Sequence, residues 1–153
     1  MKVYDINFIK DQFPALKRKV WDKKLVYLDS AASMQKPKRV LDAINKSYSF
    51  NYSNVHRGLH KLSEEATAKY ESSRIKVAKF INCSENEVIF TSGATAALNL
   101  IAYSWGTKNL SAGDEIIITI AEHHANIVPW QIIAEQKNVK IKAAHVDPNS
   151  DLS

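Results

Sequence analysis

"EIIITIAEHHANIVPWQ", residues 115–131, decides the fold. Within its first six residues Ile116, Ile117, Ile118 and Ile120 make a nearly continuous apolar run, the pattern of a strand buried on both faces of a parallel sheet. "AGD" (112–114) ahead of it is a turn, and the segment from Ile127 to Gln136 reads as a helix opened by a Pro-Trp pair. "VKIKAAHV" (139–146) alternates like a further strand, and "DPNSD" (147–151) is a turn. Strand, helix and strand in this order make a parallel crossover unit.

The same alternation runs upstream. "LVYLD" (25–29) and "EVIFT" (87–91) are β-prone runs. Val40, Leu41, Ile44 and Tyr48 recur at helical spacing after Pro37, which suits a first helical turn. A second helix carries Leu62, Ala66, Tyr70, Val77 and Ile81 on one face. Ser63 is its expected cap, with Glu64 and Glu65 at the positive end of the dipole. After Gly93, the residues Ala94, Ala97, Leu98, Ile101, Ala102 and Trp105 keep three-and-four spacing, a helix with a wide apolar face. The expected class is α/β, a largely parallel sheet with helices on both faces. The chain reads as the front part of a larger domain.

Composition narrows the function. The 153 residues are 45% hydrophobic and 24% charged, which suits an ordered globular chain. The net charge is +5, but the basic residues are dispersed, and the cluster "LKRKVWDKK" (16–24) includes Asp22. Nucleic-acid surfaces need denser basic patches, so no nucleic-acid partner is expected. The single cysteine, Cys83, excludes a disulfide framework within the chain and a cysteine-based zinc site. No stretch approaches the roughly 18 apolar residues of a membrane span, and "MKVYDINFIK" lacks a signal core. A cytosolic, reducing compartment without membrane contact is the expectation.

Two places carry candidate chemistry. In "FTSGATAALN" (90–99) a strand runs through Ser92-Gly93-Ala94-Thr95 into a helix. The first amides of a helix lack internal partners and favour anions, and glycine permits close approach of a phosphate. The Ser92 and Thr95 hydroxyls can add bonds; the plain alternative is a Ser- or Thr-capped turn. His123 and His124 follow the carboxyl end of the 115–120 strand, where open α/β sheets bind ligands. Adjacent residues do not share a face, so chelation of one metal by both is disfavoured and no metal is assigned. One ring is expected in a crevice and the other in the structure. In "NVHRGLHKLS" (54–63), Arg57 offers a fork for an anion beside His56 and His60; a solvated loop is the plain reading. Cys83 reads as a packed thiol.

"YLDSAASMQKP" (27–37), "NVHRGLHKLS" (54–63), "FTSGATAALNLIAYSWG" (90–106) and "AEHHANIVPWQ" (121–131) occur in this order. Together they closely resemble the SufS-type, group II cysteine desulfurases of the class V aminotransferase-like family, over essentially the whole chain. The resemblance implies a pyridoxal 5'-phosphate enzyme of fold type I. Such an enzyme takes sulfur from L-cysteine, leaves L-alanine, and stores the sulfur as a persulfide for iron–sulfur cluster assembly. It implies a homodimer and a sulfur acceptor of the SufE or SufU kind. It also implies an N-terminal helical segment, residues 1–24, that packs with the family's small domain. Residues 25–153 are then the first part of the cofactor-binding large domain.

Carried over by position, the resemblance makes His123 the ring-stacking histidine and a candidate for proton transfer. Ala94 and Thr95 become the phosphate-binding pair. Ala31 and Ala32 lie in the loop near substrate, His56 near the active-site entrance and dimer interface, and Asn126 in the motif beside them. Many relatives carry Thr at the position of Ala94 and Glu at that of Ala96, so one phosphate hydroxyl is absent here and the backbone amide is expected to serve. The family's Schiff-base lysine, its aspartate for the pyridine nitrogen and its persulfide cysteine fall beyond these 153 residues, roughly the first third of the family's chain. The 153 residues by themselves are therefore expected to be inactive. Selenocysteine lyase, another class V lyase, or a non-catalytic product of a split or decayed gene are the alternatives.

Overall fold

The structure, a computed structural model, describes residues 4–145. The expected turn at 147–151 and the last residue of the expected strand 139–146 lie outside the described residues. The chain forms two compact units that divide between Val88 and Ile89.

The first unit opens with helix α1 (Ile6–Asp11), capped by Asp5, whose carboxylate accepts from the amides of Asn7 and Phe8 at 3.0 Å each. A 3-10 turn at Pro14–Lys17 leads into strands β1 (Lys19–Val20) and β2 (Lys23–Lys24), an antiparallel hairpin. Its two turn residues, Trp21 and Asp22, have φ of 50° and 59°. Two-residue hairpin turns with this twist need positive φ at both positions, here without glycine.

"LVYLD" was expected as a strand, but residues 25–29 form no ladder. The Leu25 amide still reaches the Arg18 carbonyl, and the Tyr27 hydroxyl donates to the Ser33 carbonyl. An extended run becomes a strand only beside a partner, and none lies beside it among the described residues.

Helix α2 (Lys38–Phe50) follows Pro37, which takes the cap position rather than the first turn. Its apolar stripe is open: Leu41, Ile44 and Tyr48 are all exposed. Helix α3 (Lys61–Ile81) starts two residues before the expected cap. His60 caps it, its Nδ1 accepting from the Ser63 amide at 3.4 Å. Ser63 is instead buried inside the first turn, where its hydroxyl donates to the Asn54 carbonyl at 2.8 Å and accepts from the Gly58 amide at 3.0 Å. The helix ends on Asn82 in the left-handed conformation, φ 57°. Most of the expected apolar face, including Leu62, Val77 and Ile81, is exposed, while Ala78 and Val88 are buried. "EVIFT" also forms no ladder: Glu87 closes a 3-10 turn that starts after Ser84, and residues 88–91 join no strand.

The second unit holds helix α4 (Ala94–Ile101), which runs through a π turn at Ala102–Gly106 into α5 (Thr107–Asn109). Gly106 lies against Trp130 and Ile133; a Cβ there would stand 3.2 Å from Trp130 Cζ3. Close approach of this kind favours glycine. Gly113, at φ 95°, makes the turn into strand β3 (Glu115–Thr119). A 3-10 turn at His124–Asn126 leads into helix α6 (Val128–Lys137), with Pro129 in its first turn and Asn138 in the left-handed conformation at its end. Strand β4 (Lys140–Ala144) then pairs with β3 in parallel, Glu115 opposite Lys140 and Thr119 opposite Ala144. Ala102, Gly106, Pro129, Ile133, Ala134 and Val139 are buried together.

Burial on both faces of 115–120 is not observed. Ile116 and Ile118 are half-buried, but Ile117 is 73% exposed and shares its open face with Lys142. The described sheet has two strands, and nothing among the described residues covers that second face.

Candidate active site

The start of α4 is open. Gly93 holds the cap position with extended backbone (φ 162°, ψ 179°), and no side chain caps the helix. The first intrahelical bond runs from the Ala97 amide to the Gly93 carbonyl at 3.1 Å. The amides before it have no helical partner. Ala94 and Thr95 are exposed, and a Cβ built on Gly93 meets no atom within 4 Å. The Thr91 hydroxyl donates to the Gly93 carbonyl at 3.0 Å and fixes the turn. The plain reading of a Ser- or Thr-capped turn is therefore not what the structure shows. The amides are left for an anion, which the dipole favours.

The turn at His124–Asn126 packs against α4. His123 caps that turn: its Nδ1 accepts from the Ala125 amide at 3.1 Å. An accepting Nδ1 puts the proton of the neutral ring on Nε2. The rings of His123 and His124 stand at 83° with centroids 6.3 Å apart. Both histidines are exposed, so the expectation that one ring would sit in the structure is corrected.

A polar brace holds this turn. Glu122 accepts from the Thr119 hydroxyl at 3.2 Å and from Asn126 Nδ2 at 3.0 Å; Asn126 Oδ1 accepts from the Trp130 indole at 3.1 Å. The chain of bonds runs from the end of β3 to the first turn of α6. Both ends of the Asn126 amide are thus engaged in bracing. Glu122 was not singled out from the sequence, and Trp130 only as part of the Pro-Trp pair that opens the helix; their spacing of four from Asn126 was the available clue to the brace.

The other site residues belong to the first unit. Ala31 and Ala32 lie exposed in a turn closed by the Ser33 amide on the Asp29 carbonyl at 3.0 Å. His56 has φ 71°, its amide donates to Thr67 Oγ1 at 2.8 Å, and its Nε2 meets Glu71 Oε1 at 2.7 Å. Arg74 Nε donates to the other Glu71 oxygen at 3.0 Å. The His56 hydrogen bond, with Arg74 contributing, lowers the Glu71 carboxyl below its ordinary range, and the Glu71 bond raises the Arg74 guanidinium. Cys83 is half-buried. An open concavity of about 850 Å³ in this unit is lined by residues such as Leu16, Arg18 and Tyr27 and includes none of the candidate residues.

Uncapped amides beside a braced histidine fit a phosphorylated aromatic cofactor: the Ala94 and Thr95 amides suit its phosphate and the exposed His123 ring its flat face.

The sequence matches the aminotransferase class-V family over residues 26–153. A probable cysteine desulfurase of Vibrio cholerae serotype O1 is 52% identical over 138 residues, covering 90% of this chain and 34% of the relative. One from Synechocystis is 49% identical over 140 residues, covering 91% and 33%. Among solved structures, the apo cysteine desulfurase from Thermococcus onnurineus NA1 superposes with a TM-score of 0.87 at 32% identity, over 99% of this chain and 36% of that one. The cysteine desulfurase CsdA from Escherichia coli gives 0.78 at 38% identity, over 96% and 36%. The chain thus spans about a third of the length of these relatives. With 26–153 matched and the fold shared, the chain belongs to the aminotransferase class-V family, pyridoxal 5'-phosphate enzymes of fold type I.

Proposed function

We propose that these residues are the N-terminal part of a pyridoxal 5'-phosphate-dependent cysteine desulfurase. It would take sulfur from L-cysteine, giving L-alanine and an enzyme persulfide for iron–sulfur cluster assembly. The observation that carries this reading is the uncapped start of α4 packed beside the His123 turn, in a chain whose curated relatives are named for that activity. The four motifs at 27–37, 54–63, 90–106 and 121–131 favour the SufS-type branch. With that branch go a homodimer, a cytoplasmic setting and a sulfur acceptor of the SufE or SufU kind. Among the described residues no helix is long and apolar enough to cross a membrane. Residues 1–24 would pack with the small domain, and 25–153 would begin the large one.

When bound, the cofactor ring supplies the electron sink for charge developing on the amino acid. The chain's own residues bind and orient. The Ala94 and Thr95 amides hold the phosphate, backbone serving where relatives carry a Thr hydroxyl at Ala94. His123 would stack on the ring and could donate a proton from Nε2, because Nδ1 accepts from the Ala125 amide. Ala31, Ala32 and His56 lie toward substrate. Asn126 is assigned there too, its amide held by the brace with Glu122 and Trp130.

Pyridoxal phosphate added to the chain should move the backbone amide resonances of Ala94 and Thr95, and pyridoxal without phosphate should leave them in place. Equal shifts with both would sink the phosphate assignment. Residues 1–153 by themselves should release no alanine from L-cysteine; turnover, with a stoichiometric borohydride-stable cofactor adduct on a lysine of this chain, would overturn that expectation.

A further inference from the structure

Residues 54–58 are fastened to one face of α3 at three successive levels. Ser63 bonds Asn54 and Gly58, Thr67 bonds the His56 amide, and Glu71 bonds the His56 ring. Positions 63, 67 and 71 are spaced by four and share a face. Thr67 is itself oriented, its hydroxyl donating to the Ser63 carbonyl at 2.7 Å. Between these ties His56 adopts φ 71°, a left-handed conformation that L side chains resist. Such a conformation persists when its surroundings over-determine it, and it marks places where a side chain must be aimed.

The ring is aimed from two sides. Glu71 Oε1 holds Nε2 at 2.7 Å, and the Tyr70 ring meets the imidazole edge-on, centroids 5.6 Å apart at 89°. Glu71 is in turn held by Arg74 at 3.0 Å. Arg74 also donates to the Val88 carbonyl and lies 5.2 Å over the Tyr70 ring. A carboxylate has no proton to give, so the shared hydrogen belongs to Nε2. The His56 side chain is still 51% exposed, and Nδ1 is the nitrogen left for a further partner.

We infer that Glu71 is a positioning residue for His56: with Arg74 behind it, it holds the imidazole with Nε2 inward and Nδ1 presented outward. The orienting chain is Arg74, Glu71, His56, built wholly within the first unit. The place of His56 near substrate rests on the proposed cysteine desulfurase function. The orientation of its ring does not, and it can be read without substrate.

The test is nitrogen-15 NMR of the His56 ring in the whole chain and in Glu71→Ala and Glu71→Gln. The expected parent pattern is a hydrogen-bonded, exchange-protected proton on Nε2. Glu71→Ala should speed exchange of that proton roughly tenfold or more, the scale of a hydrogen bond to a charged group. Glu71→Gln keeps an acceptor and loses the charge, so it should keep the proton on Nε2 with exchange between the two. A bonded proton on Nδ1 in the parent, or unchanged exchange in Glu71→Ala, would overturn the assignment. Should Glu71→Ala fail to fold, exchange in Glu71→Gln no faster than in the parent does the same. A merely helix-bracing Glu71 would leave these ring signatures unmoved.

Discussion

The two units place their candidate residues by different means. In the second, apolar packing does the placing. Ile133 and Ala102 are fully buried, Val139 and Ala134 nearly so, and α6 and β4 pack together around them. His123 and the start of α4 stand on that base. In the first, little apolar surface is buried, and among the described residues the largest fully buried side chain there is the hydroxyl-bearing Ser63. Polar ties at Ser63, Thr67 and Glu71 place the 54–58 loop instead. Apolar packing is non-directional and insensitive to pH. Hydrogen-bond ties are directional and respond to the charge of each partner.

Three changes probe that difference. Ile133→Ala should have the largest effect, about 2–5 kcal/mol of stability lost, because it empties a fully enclosed site. Leu28→Ala, at 90% exposure, should cost little in the same urea titration. Comparable losses for both would mean that the second unit has no packing advantage. Next, Ser63→Ala should cost about 1–3 kcal/mol, since it strands the Asn54 carbonyl and Gly58 amide. Hydrogen exchange should show the opening confined to residues 54–58, and uniform loosening across both units would break the contrast.

The smallest effect should come from acid. The Glu71 carboxyl is depressed in the folded chain, mainly by its bond to His56. Its contribution is then complete above the ordinary carboxylate value of 4.5 and is lost as pH falls through the lower folded value. Amide exchange at residues 54–58 should rise over that window in the parent and stay flat in Glu71→Gln. A matching rise in residues 94–137 of the second unit would erase the distinction.

The helices were legible from the sequence because their bonds join residues four apart and their apolar stripes repeat at the same spacing. Helix α4 and its Gly93 start, α6 with Pro129, and strands β3 and β4 all fall where periodicity and turn residues put them. Details that need a distant partner were not legible. "LVYLD" and "EVIFT" have strand composition, yet a strand exists only beside another, and these stretches lack one among the described residues. Ser63 looked like a cap because it precedes Glu64; the loop that bonds its hydroxyl lies five to nine residues earlier. Asn126 is only a motif position in the sequence; that Glu122 and Trp130 occupy its amide needs the fold.

The sequence by itself determined the α/β class, the helix start at Gly93 and the placing of His123 at a strand's carboxyl end. All three depend on neighbours within a few positions along the chain. Only the tertiary structure decided which faces are covered, that His60 caps α3 while Ser63 anchors the loop, and which nitrogen of His56 is turned inward. Those depend on groups that folding brings together from 5 to 15 residues apart, as Gly58 is from Ser63 and Glu71 from His56. The hydrogen bonds between them are set by direction and distance in space, for which spacing along the chain is no guide.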